Sequence, residues 1–147
     1  MVKALVVAAI LWPMLLAGAA GARIRGDAWW FSGAVYHAGG AVCHQLPSRS
    51  FHIHGTQWPV CARCSGLYLA APVGALAAVL TRRRFHRSRD LGWLGLASLP
   101  TVIAFALEHG GLADVTSFAR FAAALPLGAG VAWVIVAVAG SPASGIE

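Results

Sequence analysis

The sequence predicts an all-α, polytopic membrane helix bundle of four spans, or three if the first apolar segment is removed as a signal peptide. Three observations carry that reading. Hydrophobic residues make up 59% of the 147 residues and charged ones 11%, against roughly 45–50% and about 25% in soluble domains. The apolar residues fall into four runs close to the roughly 20 residues that cross a bilayer. Five of the eleven Lys and Arg residues are gathered between positions 82 and 89, between two of those runs. A clustered basic loop stays on the cytoplasmic side of a membrane. The net charge of +6 therefore reads as a topology signal, and nucleic-acid binding is not expected.

The whole chain, 1–147, reads as a single membrane domain. Residues 4–22 form the first run, after Lys3 and with Pro13 inside it. A basic start, an apolar middle and a small-residue end also describe a cleavable signal peptide, so span and signal peptide both stand. Residues 23–58 are too polar for an ordinary span and read as an extracytoplasmic Cys/His loop. Within it, Asp27 is placed to cap a short helix that begins at Ala28 and carries Trp29, Trp30 and Phe31 at headgroup depth. Gly39-Gly40 is expected to end that helix before Cys43. From Leu46 to Trp58 the Pro, Ser and Gly residues predict irregular loop.

Residues 59–80 form the second span, with Pro59 in its first turn, where a missing N–H costs nothing. Gly66, Ala70, Gly74 and Ala78 recur every four residues and give a small-residue face for close helix packing. Pro72 should bend this helix. The third span is 91–107, with Pro100 inside it, and the fourth is 121–139, with Pro126. A polar turn at 108–120 joins them, and 141–147 is a tail. With the 82–89 loop in the cytoplasm, both termini are cytoplasmic, and the 23–58 loop and the 108–120 turn both face outward. The expected location is the inner (plasma) membrane.

The chemistry-bearing residues concentrate in that outer loop. All three cysteines and three of the six histidines fall between positions 43 and 66. Cys61 and Cys64 are spaced i, i+3 at a helix start, which puts both sulfurs on one face. The helix amino terminus and Arg63 both favour the thiolate, the form that ligates metals and attacks electrophiles. Cys43 and His44 complete a Cys3His set of the kind a tetrahedral metal site uses. The predicted metal ligands are therefore Cys43, His44, Cys61 and Cys64, with zinc as the first choice and copper as the second.

His52 and His54 flank Ile53 and are additional ligand candidates, although a solvated loop accounts for both. His37 reads as a headgroup-level residue and His86 as part of the basic loop. Glu108 and Arg120 are placed to pair at the outer end of the bundle, since ionisable residues at membrane depth face one another. Glu108 or His109 is also a candidate to reach the cysteines as a ligand or proton acceptor.

A rival reading is a membrane thiol–disulfide oxidoreductase using Cys61 and Cys64, with Cys43 as resolving thiol and a quinone or thiol protein as partner. Outside the cytoplasm a fixed disulfide is a third outcome. The loop would then present Trp29, Trp30 and Trp58 to another membrane protein. Beyond the lipid bilayer, the sequence names neither a protein partner nor an oligomeric state. The chain has no C-x-x-C-H, H-E-x-x-H, phosphate-cradling Gly motif or nucleophile-elbow Ser motif, so the chemistries those motifs carry have no support.

The pattern Cys43-His44-Gln45-Leu46-Pro47-x-Arg49-Ser50-Phe51, followed by Pro59-Val60-Cys61-Ala62-Arg63-Cys64-Ser65-Gly66-x-Tyr68, resembles a family of small bacterial membrane proteins called domain of unknown function 2085. Pro100, Glu108, Gly110, Arg120 and Gly128 are similar in order to its later positions, although the family more often has Asp-Gly near Glu108. The resemblance implies a multi-span membrane protein with a cysteine–histidine signature, and it implies no activity.

Overall fold

The computed structural model describes residues 1–81 and 86–141. Among the described residues, five helices and one hairpin follow in the order α1 (Val2–Arg25), α2 (Trp29–Val42), β1 (Ser50–Ile53), β2 (Thr56–Cys61), α3 (Ala62–Thr81), α4 (Arg87–His109) and α5 (Ser117–Gly140), with one 3-10 turn at Pro47–Arg49 before β1. Helices α1, α3, α4 and α5 are each long and apolar enough to cross a membrane. Much of the basic segment (82–85) and most of the tail (142–147) lie outside the described residues.

The centre of the bundle is the contact between α3 and α5. Gly66, Ala70, Gly74 and Ala78 are all buried, so the small-residue stripe is the packing face. A methyl group on Gly74 would run into the Ala129 carbonyl, and one on Gly128 into the Leu67 carbonyl. Only glycine permits backbones this close, and close approach is what holds helices together where lipid competes for apolar side chains. Gly66 meets Phe121 and Gly74 meets Ala129, so α3 and α5 run in the same direction.

Helix α4 runs against them, with Leu94 and Ala97 beside Gly130 and Thr101 donating to the Ala123 carbonyl at 2.8 Å. Helix α1 also runs against α3. Its first turns pack on Ala75, Ala78 and Val136, and Leu16 and Ala19 reach the level of Val60. Alternation of the four long helices sends both described chain ends to the end of the bundle where α3 leads into α4. The cysteines are left at the opposite end.

Several local expectations are corrected. Asp27 does not cap α2; it pairs with Arg25 at 2.9 Å, and Ala28 takes the capping position with φ of 41°. Helix α2 does not stop at Gly39-Gly40 but continues to Val42. Gly39 instead provides the flat spot where α2 docks on β2, since a Cβ there would lie 2.8 Å from the Pro59 carbonyl oxygen. The stretch from 46 to 58 is not irregular loop. Ile53 pairs with Thr56 and His52 with Gln57 across a two-residue turn, His54-Gly55, with φ of 48° and 77°. Positive φ at both central residues is the twist a tight hairpin needs.

Because Pro59 is consumed by β2, the helix begins at Ala62, and Cys61 is the last residue of the strand. Helix α4 starts at Arg87 because the Asp90 carboxylate accepts the His86 N–H at 2.7 Å, which satisfies a backbone donor that would otherwise fray.

Candidate metal and arginine site

Each cysteine is delivered by a different element. Cys43 is the residue that ends α2, Cys61 closes β2, and Cys64 sits in the first turn of α3. Their three Sγ atoms all lie within 4.8 Å of one another, and all three are free thiols. Three sulfurs around a tetrahedral zinc at 2.3 Å would stand about 3.8 Å apart, a separation that small side-chain rotations reach. Cys43 is buried, and its Sγ accepts the Cys61 N–H at 3.2 Å. The hydrogen bond from the Cys64 thiol, opposed by burial and aided by further hydrogen bonds, lowers the Cys61 thiol from its ordinary range to about 5.

Gln45, which the sequence did not single out, fixes this geometry. Its Nε2 donates to the Tyr36 carbonyl and to the Pro59 carbonyl, both at 2.7 Å. Gln57 Nε2 in turn donates to the Gln45 carbonyl at 2.6 Å, and the Tyr36 hydroxyl donates to the Gln57 carbonyl. These bonds tie the end of α2 to β2, and so tie Cys43 to Cys61. Gln45 itself has φ of 47°, a conformation that non-glycine residues adopt only when their surroundings demand it.

Beside the thiols stands a charged cluster. Glu108, at the end of α4, is met by three arginines: Arg49 at 2.8 Å, Arg120 at 3.1 Å and Arg63 at 3.4 Å. These come from the 3-10 turn, α5 and α3. The expected Glu108–Arg120 pair is present, with Nε and Nη2 of Arg120 reaching the two carboxylate oxygens. Arg63 also lies over the Phe105 ring, 5.5 Å from its centroid, and Phe105 stacks on His109 at 3.9 Å.

A cleft of about 370 Å³ joins the two groups, with Cys43, Cys61, Cys64, Arg63, Arg120 and His109 on its walls. His44 also lines it but is exposed and outside the three-sulfur group. Glu108 is held among the arginines rather than among the sulfurs. His52 and His54 are exposed on the hairpin and His37 is exposed on α2; none belongs to the sulfur group. Trp29 and Trp30 are exposed, whereas Trp58 is half-buried.

Residues 43–134 match the family described as a predicted membrane protein, DUF2085. An uncharacterized protein of Methanothermobacter thermautotrophicus is 35% identical over 91 residues, covering 62% of this chain and 81% of that protein. An uncharacterized protein of Methanocaldococcus jannaschii is 45% identical over 49 residues, covering 33% of this chain and 31% of that protein. This chain thus spans less than a third of the second relative's length. Both organisms are archaea, so the likeness is not confined to bacteria. No solved structure matches.

Proposed function

We propose that this chain, which belongs to the DUF2085 family of predicted membrane proteins, binds one transition-metal ion through Cys43, Cys61 and Cys64 at the outer surface of the plasma membrane. The observation that carries the reading is the convergence of three free thiols from three separate elements to within 4.8 Å. Three thiolates suit zinc first and copper(I) second. A fourth ligand comes from His44 or His109, which line the same cleft, or from outside the protein. Glu108 is a poor ligand because its carboxylate is engaged by three guanidinium groups.

The orientation follows from the basic segment at 82–89, which holds its end of the bundle in the cytoplasm. Both described chain ends then lie inside and the thiols outside. A reporter active only in the cytoplasm, fused after Arg89, should be active; silence there would overturn the placement.

The low Cys61 value of about 5 favours a second reading, a thiol–disulfide exchanger in which Cys61 attacks and Cys64 resolves. One experiment separates the two. Protein purified in detergent without a metal-affinity tag is assayed for metal and, after denaturation, for free thiols, beside Cys61→Ser and Cys64→Ser. About one zinc or copper per chain, lost in both variants, with the thiols reduced, supports the metal centre. No metal and a single free thiol would sink it in favour of disulfide chemistry.

A further inference from the structure

The arginine cluster is not balanced by the protein around it. Three guanidinium groups face one carboxylate, and two of them are largely buried: the side chains of Arg63 and Arg120 are 20% and 12% exposed. Burying surplus like charge at a membrane surface is costly unless an opposite charge is supplied. The cysteines do not cancel it. Three guanidinium groups against one carboxylate leave two positive charges over, and a divalent ion held by three thiolates would supply only one negative charge.

The donors are also unevenly used. Arg120 spends Nε and Nη2 on Glu108, whereas Arg63 hydrogen-bonds it through Nη2 and Arg49 approaches it through Nη2. Arg63 Nε is fully buried and, among the described residues, has no hydrogen-bond partner. Such an orphaned donor needs an acceptor. Both arginines line the cleft, whose other walls include the apolar side chains of Val42, Leu46, Leu67 and Phe105.

We propose that this cleft is an anion-binding site in which Arg49 and Arg63 hold a phosphate group beside the thiol cluster. Arginine forks match phosphate oxygens two at a time, and a phosphodiester carries negative charge, which the cluster lacks. The apolar walls suit the glycerol and first methylenes of a phospholipid. The same donors would also take phosphate from a free solute. The inference holds with the thiols empty or holding a divalent ion, and in both cases it rests on the arginine excess and the orphaned Arg63 Nε.

The test titrates the full-length protein in a non-ionic detergent, followed by calorimetry, with two probes. These are inorganic phosphate and dihexanoyl phosphatidylglycerol, a short-chain lipid soluble as a monomer. Arg63→Gln and Arg49→Gln are compared with Arg25→Gln, whose side chain is exposed, pairs with Asp27 and does not line the cleft. Arg49 is 39% exposed, so its variant keeps a folded comparison even if Arg63→Gln unfolds. Saturable binding of one probe per chain, weakened at least about tenfold by loss of Arg49 or Arg63 and unchanged in Arg25→Gln, is the expected result. Binding of both probes assigns a free oxyanion, and binding of the lipid alone assigns a headgroup. Failure of the folded wild-type protein to bind either probe overturns the proposal. Binding that a folded Arg49→Gln leaves unchanged overturns it as well.

Discussion

Arg120 and Glu108 meet in a two-point contact, Nε to Oε2 at 3.2 Å and Nη2 to Oε1 at 3.1 Å, that joins the start of α5 to the end of α4. Twelve residues of sequence separate them, and the turn between contributes no other fastening of this strength. Because Glu108 also receives Arg49 and Arg63, one carboxylate gathers the 3-10 turn, α3, α4 and α5. Removing it leaves three arginines facing one another. Glu108→Gln is expected to cost about 3–5 kcal/mol, the range for breaking a buried ion pair. Denaturant unfolding in detergent measures this. A loss under about 1 kcal/mol would show that water already screens the cluster.

Reactivity of the thiols toward an alkylating agent is expected to separate with pH. In chelator-treated protein the Cys61 thiol, lowered to about 5, is ionised throughout pH 6–8. A depressed value means the reactive anion is present above it and disappears only as pH falls through about 5. The alkylation rate should therefore be flat from pH 8 to 6 and fall below that. An ordinary thiol near 8.5 would instead slow about tenfold per unit from pH 8 downward. Cys61→Ser should abolish the flat component, and its survival in that variant would reassign it.

The glycine contacts predict a contrast between two small substitutions. Gly128→Ala puts a methyl into the Leu67 backbone and should cost about 1–3 kcal/mol through overpacking. Gly92→Ala, on α4 with nothing within 4 Å of the new methyl, should be neutral or stabilising by up to about 1 kcal/mol. Equal unfolding midpoints for the two variants would contradict the backbone contact between α3 and α5.

Gln45→Asn tests what positions Cys43. Asparagine tolerates the positive φ at this position but is too short to reach both the Tyr36 and Pro59 carbonyls. The expected result is a loss of about 1–3 kcal/mol for the unsatisfied buried groups, with helical content retained. Labelling of Cys43 should become faster because α2 no longer stays docked on β2. Unchanged labelling would assign that docking to Gly39 and Val60 alone.

Helix α1 packs Leu16 and Ala19 against Val35, Cys43 and Val60, so it contributes to the wall behind a site residue. The purified protein is accordingly expected to retain this segment. Intact mass measures it, and a mass lacking residues 1–22 would require the site to form without that wall.

Most of the bundle was legible because membrane spans declare themselves by composition and length, and the Gly66–Ala78 stripe by its four-residue spacing. The thiol cluster was legible because Cys61 and Cys64 lie three residues apart, although the structure puts Cys61 at the end of β2 and only Cys64 on α3. The hairpin was not, since His54-Gly55 lacks the usual Asn-Gly or Asp-Gly signal, and Pro59 argued for a helix start. Arg63 read only as a neighbour that favours thiolate, and Arg49 only as one position of the Cys43–Phe51 pattern. Their common partner, Glu108, comes from a later helix, and no local pattern reports a contact 45 residues away. The available hint was topological: all four charged residues were expected on the same side of the membrane as the cysteines.

The three cysteines come from one continuous stretch of chain, whereas the arginine cluster needs residues made much later. During synthesis the sulfurs are therefore complete before Glu108 and Arg120 have left the ribosome. Maturation acquires an order: under the metal-binding proposal a soft cation is captured early, and the charged latch beside the thiols forms only when the last helix enters the bilayer. A pulse-labelled nascent chain should show its thiols shielded before α5 is made. Shielding that waits for α5 would mean that the latch, and not the hairpin, brings the sulfurs together.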